Sequence, residues 1–472
     1  MSKKPLDLLD KTQSPMKIIL ILAWPTIFEQ IMLTMVQYVD TAMVGSLGAD
    51  ATAAVALNAS CTWLLSGIMT AMGVGFSVQV SRHIGAGCLE KVEKIVRQAI
   101  VAVLVFGLAV TVIMQFVSQK LPYWLGANEA IIPDASAYLS IVTSVFVLHL
   151  GSVVFSGLLR GAGDTRTPMI FNIFINMVNI VGNFLLIFPS REIEIAGRYF
   201  DVWGAGLGVR GAAISTAFSA ALTGVIMLCC LFFKESPVRI SVFGDYRINK
   251  KIMSDAWYLA LPAALERVTI SVGQIVLTSI VASVGTVALA SHHLAVTAES
   301  ISYLPAYGIG VAATTLVAQS LGAAEKELAY KYGKLCTIFA MLFMTLGGIF
   351  LYVCSVPLIE LFTADQAVIQ QGAQLLRLVS VIEPFFGVSI VLFGVFRGAG
   401  DSKWPFYISI AGMWVVRLVL AWVFSQILPW GLSGIWVAIN IDLFLRAALC
   451  VMRFKNRGWL HVWDVREAAL AN

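Results

Sequence analysis

Apolar runs on the order of twenty residues or more recur along the chain between short polar stretches, and a run of that length crosses the roughly 30 Å hydrocarbon layer as a helix. Twelve spans can be placed, at about 17–44, 52–80, 95–117, 135–159, 167–189, 206–233, 252–282, 287–320, 335–359, 367–396, 404–427 and 431–453. A membrane barrel would show alternating segments of about ten residues instead. The pattern predicts an all-α polytopic membrane protein of twelve transmembrane helices, and an even number of crossings returns the chain to the side on which it began.

The chain also repeats itself. Arg160-Gly-Ala-Gly-Asp-Thr-Arg-Thr-Pro168 returns as Arg397-Gly-Ala-Gly-Asp-Ser-Lys-Trp-Pro405, 237 residues later (397 − 160). Without a gap the same offset maps Pro25 on Pro262, Glu29 on Glu266, Gln37 on Gln274, Gly48 on Gly285, Gly73 on Gly310 and Gly85 on Gly322. A duplicated unit with an even number of spans enters the membrane in one direction both times, which implies parallel repeats about an axis along the membrane normal. Two six-helix lobes facing a central cleft are expected: 1–16 a cytoplasmic tail, 17–233 the N-lobe, 234–251 a basic cytoplasmic tether, 252–453 the C-lobe and 454–472 a second cytoplasmic tail. The register breaks only at Arg191–Trp203, whose alternating pattern and Gly197 suggest an outer-side hairpin. Each Arg-Gly-Ala-Gly-Asp motif ends one span just before another begins, so its Arg and Asp are expected to steady a tight turn through a local ion pair.

Charge sets the orientation. The chain is 59% hydrophobic and 12% charged, with a net charge of +5, against about 25% charged residues in a soluble domain. Lys and Arg gather in alternate loops: Lys3, Lys4, Lys11 and Lys17, then Arg82–Arg97, Arg160 and Arg166, Lys234–Lys251, Lys326–Lys334, Arg397 and Lys403, and Arg453–Arg466. By the positive-inside rule these loops and both termini are cytoplasmic. That placement, rather than a basic patch, accounts for the net charge and argues against a nucleic-acid partner. No small-residue cleavage site follows the polar first sixteen residues, so a cleaved signal peptide is not expected. The seven cysteines, in or beside spans, have neither metal-type nor redox spacing and read as packing residues.

Against this background the polar residues inside the spans stand out, because an ionised carboxylate at bilayer depth costs several kcal/mol or more unless paired, hydrated or protonated. The first span carries Glu29, Gln30, Gln37 and Asp40. At about 100° per residue, the steps from Glu29 to Asp40 leave them within about 20° of each other and roughly 16 Å apart along the axis. The fifth span carries Asn172, Asn176, Asn179 and Asn183, all within about 60° on one face. Such a row either binds neighbouring helices by hydrogen bonds or joins Asp40 in one polar site through Asn179 and Asn183. The second half does not reproduce it, since Leu277, Val416 and Leu420 stand opposite Asp40, Asn179 and Asn183. A polar site of this kind belongs to the first lobe alone.

The second lobe has its own charged set: Glu266, Arg267, Glu299, Arg377, Glu383, Arg417, Asp442 and Arg446. Asp442 and Arg446, four apart, are expected to pair on one helix, with Arg417 competing for the same carboxylate. Glu266 and Glu383 read as unpaired carboxylates which, with Trp257, Tyr303, Tyr307, Phe385 and Phe386 nearby, would favour organic cations. Together with Glu29, Gln37 and Gln274 they form the candidate substrate cleft. Pro305 and Pro384 lack counterparts in the first half and are expected to kink their helices. His149 reads as a hydrogen-bonding residue rather than a proton carrier. No phosphate-binding loop, zinc motif or nucleophile elbow is present, so neither ATP-driven transport nor catalysis is expected, nor any cofactor or structural metal.

Trp24-Pro25, Val39-Asp40-Thr41, the paired Arg-Gly-Ala-Gly-Asp turns and Asn179-Ile-Val-Gly-Asn183 together resemble the multidrug and toxic compound extrusion family, MATE, along essentially the whole chain. The resemblance implies a secondary exporter of cationic, amphiphilic compounds driven by H⁺ or Na⁺. It places the coupling ion in the N-lobe at Asp40, Asn179 and Asn183, which would also seat Na⁺, with Thr216 as a further member. It departs at position 183, which is Asp in some members, and in the C-lobe, where relatives carry their acidic residues about a turn away from Glu266 and Glu383. The expected setting is the plasma membrane, the inner membrane in a bacterium, with small organic cations and lipid as partners and the chain a monomer. The alternative within transport is a flippase for a lipid-linked precursor, which would need a strongly cationic cleft where the charges here are mixed. A receptor or ion channel fits the internal repeat less well.

Overall fold

The computed structural model describes residues 8–9, 12–195, 198–428 and 430–471. Most charges of the first tail (Lys3, Lys4, Asp7, Asp10, Lys11) and Gly197 lie outside the described residues. The described chain is almost entirely helical: α1 (Pro15–Gly45), α2 (Ala49–Gly85), α3 (Leu89–Trp124), α4 (Ile132–Ser144), α5 (Phe146–Gly161), α6 (Arg166–Ile187), α7 (Gly208–Phe233), α8 (Lys250–Val284), α9 (Thr286–Gly322), α10 (Lys326–Val353), α11 (Ser355–Glu360), α12 (Gln366–Ser380), α13 (Glu383–Gly398), a continuous helix Lys403–Ile427, and α16 (Gly431–Lys455). The Lys403–Ile427 helix consists of α14 (Lys403–Ile410), a π-helical stretch Ala411–Arg417, α15 (Leu418–Trp422) and a second π-helical stretch Val423–Ile427. A 3₁₀ turn (Gly458–His461) and α17 (Val462–Ala471) follow α16.

Ten of these helices are long and apolar enough to span a membrane, and the number rises to twelve if each of two bent pairs is one span. Those pairs are α4 with α5, bent by 52°, and α12 with α13, bent by 59°. They lie at equivalent places in the two copies, but only the second has a proline beside the bend, Pro384, since Pro133 of the first pair sits at the far end of α4. The bend therefore belongs to the repeated frame rather than to the proline. The other candidate kink, Pro305, lies inside an unbroken helix. The frame also repeats in its backbone: Gly48 and Gly285, Gly163 and Gly400 all take positive φ (112°, 140°, 86° and 85°), a region where only glycine avoids a Cβ clash.

Pro189–Ile195 and Arg198–Ala205 form the hairpin β1–β2, antiparallel, pairing Arg191 with Val202 and Glu194 with Tyr199. The inserted segment is thus a β-hairpin, as its alternation predicts.

The contacts divide the chain into two compact units. One comprises residues 31–80 and 89–254. Its basic connection between α7 and α8 is more than a tether: Val238 and Ile240 are buried, Gln98 on α3 donates to Arg247 O at 2.7 Å, and Asn249 N donates to Gln98 Oε1 at 2.9 Å. The other comprises residues 1–30, 81–88 and 255–472. Its core runs from Ile18, Ile19 and Leu22 of α1 through Leu316 and Val317 of α9 to Val391, Val395 and Phe396 of α13. There the start of α1 approaches α9 closely, with Thr26 Oγ1 donating to Gly308 O at 2.9 Å.

Candidate functional site

The α6 helix begins just after Asp164, whose carboxylate accepts from Thr167 N at 3.1 Å and Thr167 Oγ1 at 2.7 Å in the first turn. From that start its period carries Asn179 and Asn183 into the protein, where they are 4% and 1% exposed. Asn183 Nδ2 donates to Asp40 Oδ1 at 2.5 Å and lies 3.5 Å from Asn179 Oδ1. Asn179 Nδ2 contacts Ser215 Oγ at 3.3 Å, and that hydroxyl donates to the Asn179 carbonyl at 2.9 Å. Three helices, α1, α6 and α7, thus supply one chain of polar groups from Asp40 to Ser215. The structure brings together Asp40, Asn179 and Asn183, the trio singled out in the sequence.

Ser215 is the member that sequence reasoning missed, having taken its neighbour Thr216. Thr216 is half-buried and, among the described residues, makes no hydrogen bond to the trio. The helical period holds the signal for Ser215. Gly211, one turn earlier, packs against the backbone at Leu186, so positions 211 and 215 share the face turned to α6. Gly182 completes the fit, since a Cβ there would lie 2.5 Å from Ser215 Oγ.

Two polar atoms around this chain, Asn183 Oδ1 and Asn176 Nδ2, are buried without a partner among the described residues. Tyr138 on α4 lies within electrostatic reach of the Asp40 carboxylate. Asn176 also lines a small cleft of about 90 Å³ with Met32, Met35, Val36, Val39, Ile173, Met177 and Ile180. Gln37, near it on α1, is exposed, and its carbonyl accepts from Thr41 Oγ1 at 2.8 Å. Thr278 and Gln274 repeat that bond at 2.9 Å.

In the other unit the charged set sorts into pairs. Asp442, fully buried, accepts from Arg417 Nε at 2.7 Å and from Arg446 at 2.6 and 2.8 Å, so both competing arginines share it. Arg417 lies in the first π-helical stretch, and a Cβ at Gly412 in the same stretch would overlap this cluster. Glu266, 3% exposed, accepts from Arg397 Nη2 at 2.7 Å. That corrects two expectations: Glu266 is not an unpaired carboxylate, and Arg397 of the repeated motif reaches across to another helix. The motif aspartates likewise look outward, Asp164 to Lys234 and Asp401 to Arg453 at 2.7 Å. Glu29 is 4% exposed. Glu383 is fully buried, with Oε2 accepting from Ser302 at 2.6 Å and Oε1 unpartnered among the described residues. Of the aromatics, Tyr303 contacts Phe386 at 5.4 Å and Tyr307 at 6.2 Å between ring centroids, and Arg267 stands over Tyr307 at 5.7 Å. Trp257 and Phe385 are exposed.

No group of three or more His, Cys, Asp or Glu residues is placed to hold a metal ion among the described residues. The seven cysteines are free thiols.

A multi-pass helical protein built as two copies of one bundle, whose buried polar groups differ between the copies, has the architecture of a membrane transporter. The sequence model of the MatE family matches residues 25–185 and 262–423, the two copies of the repeat. The chain belongs to that family. It is 27% identical over 445 residues to a probable multidrug resistance protein NorM of Thermotoga maritima, covering 93% of this chain and 92% of that one. It is 25% identical to the uncharacterized transporter YisQ of Bacillus subtilis, covering 97% and 96%. Among solved structures, an outward-facing multidrug resistance MATE transporter superposes with a TM-score of 0.88 at 22% identity, covering 97% of this chain and 99% of that one. A Pyrococcus furiosus transporter described as having a binding pocket of reversed polarity superposes at 0.89 and 21% identity, covering 97% and 98%. At such identities the structural likeness shows the fold.

Proposed function

We propose that this chain exports cationic, amphiphilic organic compounds across the plasma membrane in antiport with H⁺ or Na⁺, both termini lying on the cytoplasmic side. The observation that carries the reading is the chain of hydrogen bonds Asp40–Asn183–Asn179–Ser215. A carboxylate at membrane depth whose hydrogen-bond partner among the described residues is an amide is costly to keep charged, so it gains by taking up a proton or a small cation. The Asn183 and Asn179 oxygens and the Ser215 hydroxyl are ligand atoms suited to a hard cation, and Asn183 Oδ1 has no hydrogen-bond partner among the described residues. One site therefore accommodates either ion. The names of the relatives support drug export, and the Met-lined cleft beside Asn176 is the kind of adaptable apolar surface that tolerates varied ligands.

The mechanism follows from linkage. Ion uptake at Asp40 removes a buried charge and permits α1, α6 and α7 to repack, and the ion drives the exchange only by the difference in its affinity for the two states. A gradient of about 100 mV supplies about 2.3 kcal/mol per charge moved. The test is uptake of a fluorescent organic cation into inside-out vesicles, driven in turn by a pH gradient and by Na⁺. Uptake should collapse when one of the two gradients is removed and fail in Asp40→Asn. An Asp40→Asn protein that couples fully would overturn the assignment.

A further inference from the structure

Residues 81–88, the last turn of α2 and the turn after it, group with the second copy's helices rather than with the rest of α2. The reason is a reciprocal crossing. A Cβ at Gly85 would run into the backbone of Gln319 on α9, and a Cβ at Gly322 into the backbone of Arg82 on α2. Gly85 and Gly322 correspond under the offset of the repeat, and so do Arg82 and Gln319. The same contact is made twice, as in a two-fold interface, at the C-terminal ends of two equivalent helices.

The chain's last described segment lies over this crossing. Asp464 accepts from Arg82 Nη2 at 3.1 Å through one oxygen and from Lys326 Nζ at 2.8 Å through the other, joining a cation of the first copy to one of the second. Arg82 also stands 5.2 Å from the Trp463 ring centroid. Trp463 is 3% exposed and closes on the repeated turn, where a Cβ at Gly400 would meet its ring at 2.7 Å. On either side the segment is fastened again: Trp459, fully buried, donates to Phe454 O at 3.0 Å, and Arg466 binds Asp255 at the start of α8 at 2.6 Å.

We propose that Trp459–Arg466 is a strap that holds the basic ends of the two copies together, with Asp464 as its bridging charge, and that it must let go for the transporter to open on that side. This rests on the alternating-access reading above, which requires those ends to part. An ion pair among exposed groups is individually weak, so it can be broken in each cycle, while the buried Trp459 keeps the strap attached at its root.

Two measurements test it in the full-length protein freed of its seven native cysteines. In the first, Arg82→Cys and Asp464→Cys are joined by a reducible bifunctional thiosulfonate, which should stop uptake of the fluorescent cation at least tenfold until dithiothreitol restores it. Uptake that continues unchanged in the cross-linked protein would overturn the strap. In the second, Ser320→Cys, at a fully buried position beside the crossing, is alkylated from the basic side. Adding Asp464→Asn should raise that rate by about two- to fivefold, the range for losing exposed ion pairs. An unchanged rate would reduce the segment to packing and refute the proposal. Should the parent itself transport nothing, the exporter reading falls, while the alkylation rates still decide the strap.

Discussion

Positions 40 and 277 are equivalent in the two copies of the repeat, yet one is the half-buried Asp40 at the head of a polar chain and the other a fully buried leucine. Around Asp40 stand Asn179, Asn183 and Ser215. Around Leu277 lie Val281, Leu418, Leu420 and Ala421, packed as an ordinary apolar core. The reverse holds a few turns away. The second copy places Arg417, Asp442 and Arg446 in one cluster, while Ile180, the first copy's counterpart of Arg417 under the repeat offset, is apolar. The duplication has kept the frame, with its positive-φ glycines and bent helix pairs, and let the buried polar groups diverge. An intramembrane charge is costly wherever it sits, so retaining one in a single copy argues for a use specific to that copy. The surroundings differ in kind: Asp442 is neutralised by two arginines, whereas Asp40, among the described residues, has an amide against it.

That contrast can be broken most forcibly at its two carboxylates. Asp40→Asn should lower ion-driven uptake at least tenfold with the folded protein retained, read as vesicle uptake beside size-exclusion behaviour. Asp442→Ala should do the opposite. It strands Arg417 and Arg446 in the interior, for a loss of about 3–5 kcal/mol, seen as a fall in yield and thermal stability before any transport is measured. Should Asp442→Ala instead be stable and uncoupled, the two clusters would have changed roles.

Finer changes sharpen it. Asn183→Leu, which installs the residue found at the equivalent position 420, should weaken coupling severalfold while leaving stability within about 2 kcal/mol, the range for a membrane hydrogen bond. The mirror change, Leu420→Asn, should bring no coupling and only a loss of thermal stability. Gly182→Ala should push Ser215 off Asn179 and reduce apparent ion affinity by a smaller factor. Ser215→Ala should do the same to about the same extent, whereas Thr216→Ala should leave it unchanged. A larger effect at Thr216 than at Ser215 would return the site to the membership implied by family resemblance.

Much of this was legible in the residues. Run lengths gave the spans because hydrocarbon thickness fixes the length of an unbroken helix, and the offset between two Arg-Gly-Ala-Gly-Asp motifs gave the duplication. The meeting of Asp40, Asn179 and Asn183 was legible too, because a polar side chain in an apolar run has few innocent explanations and helical period says which of them share a face. What the sequence left open were pairings between helices. Nothing in the order of residues showed that Glu266 is bound to Arg397, that the motif aspartates reach Lys234 and Arg453, or that Ser215 rather than Thr216 meets Asn179. Neither did it show Asp464 lying between Arg82 and Lys326. Composition and period act within one segment and so determined the helices, their faces and their repetition. A pairing depends on where segments distant in sequence come to lie, and side chains a few ångströms apart decide it. Only the packed structure settles which charges are paired with which.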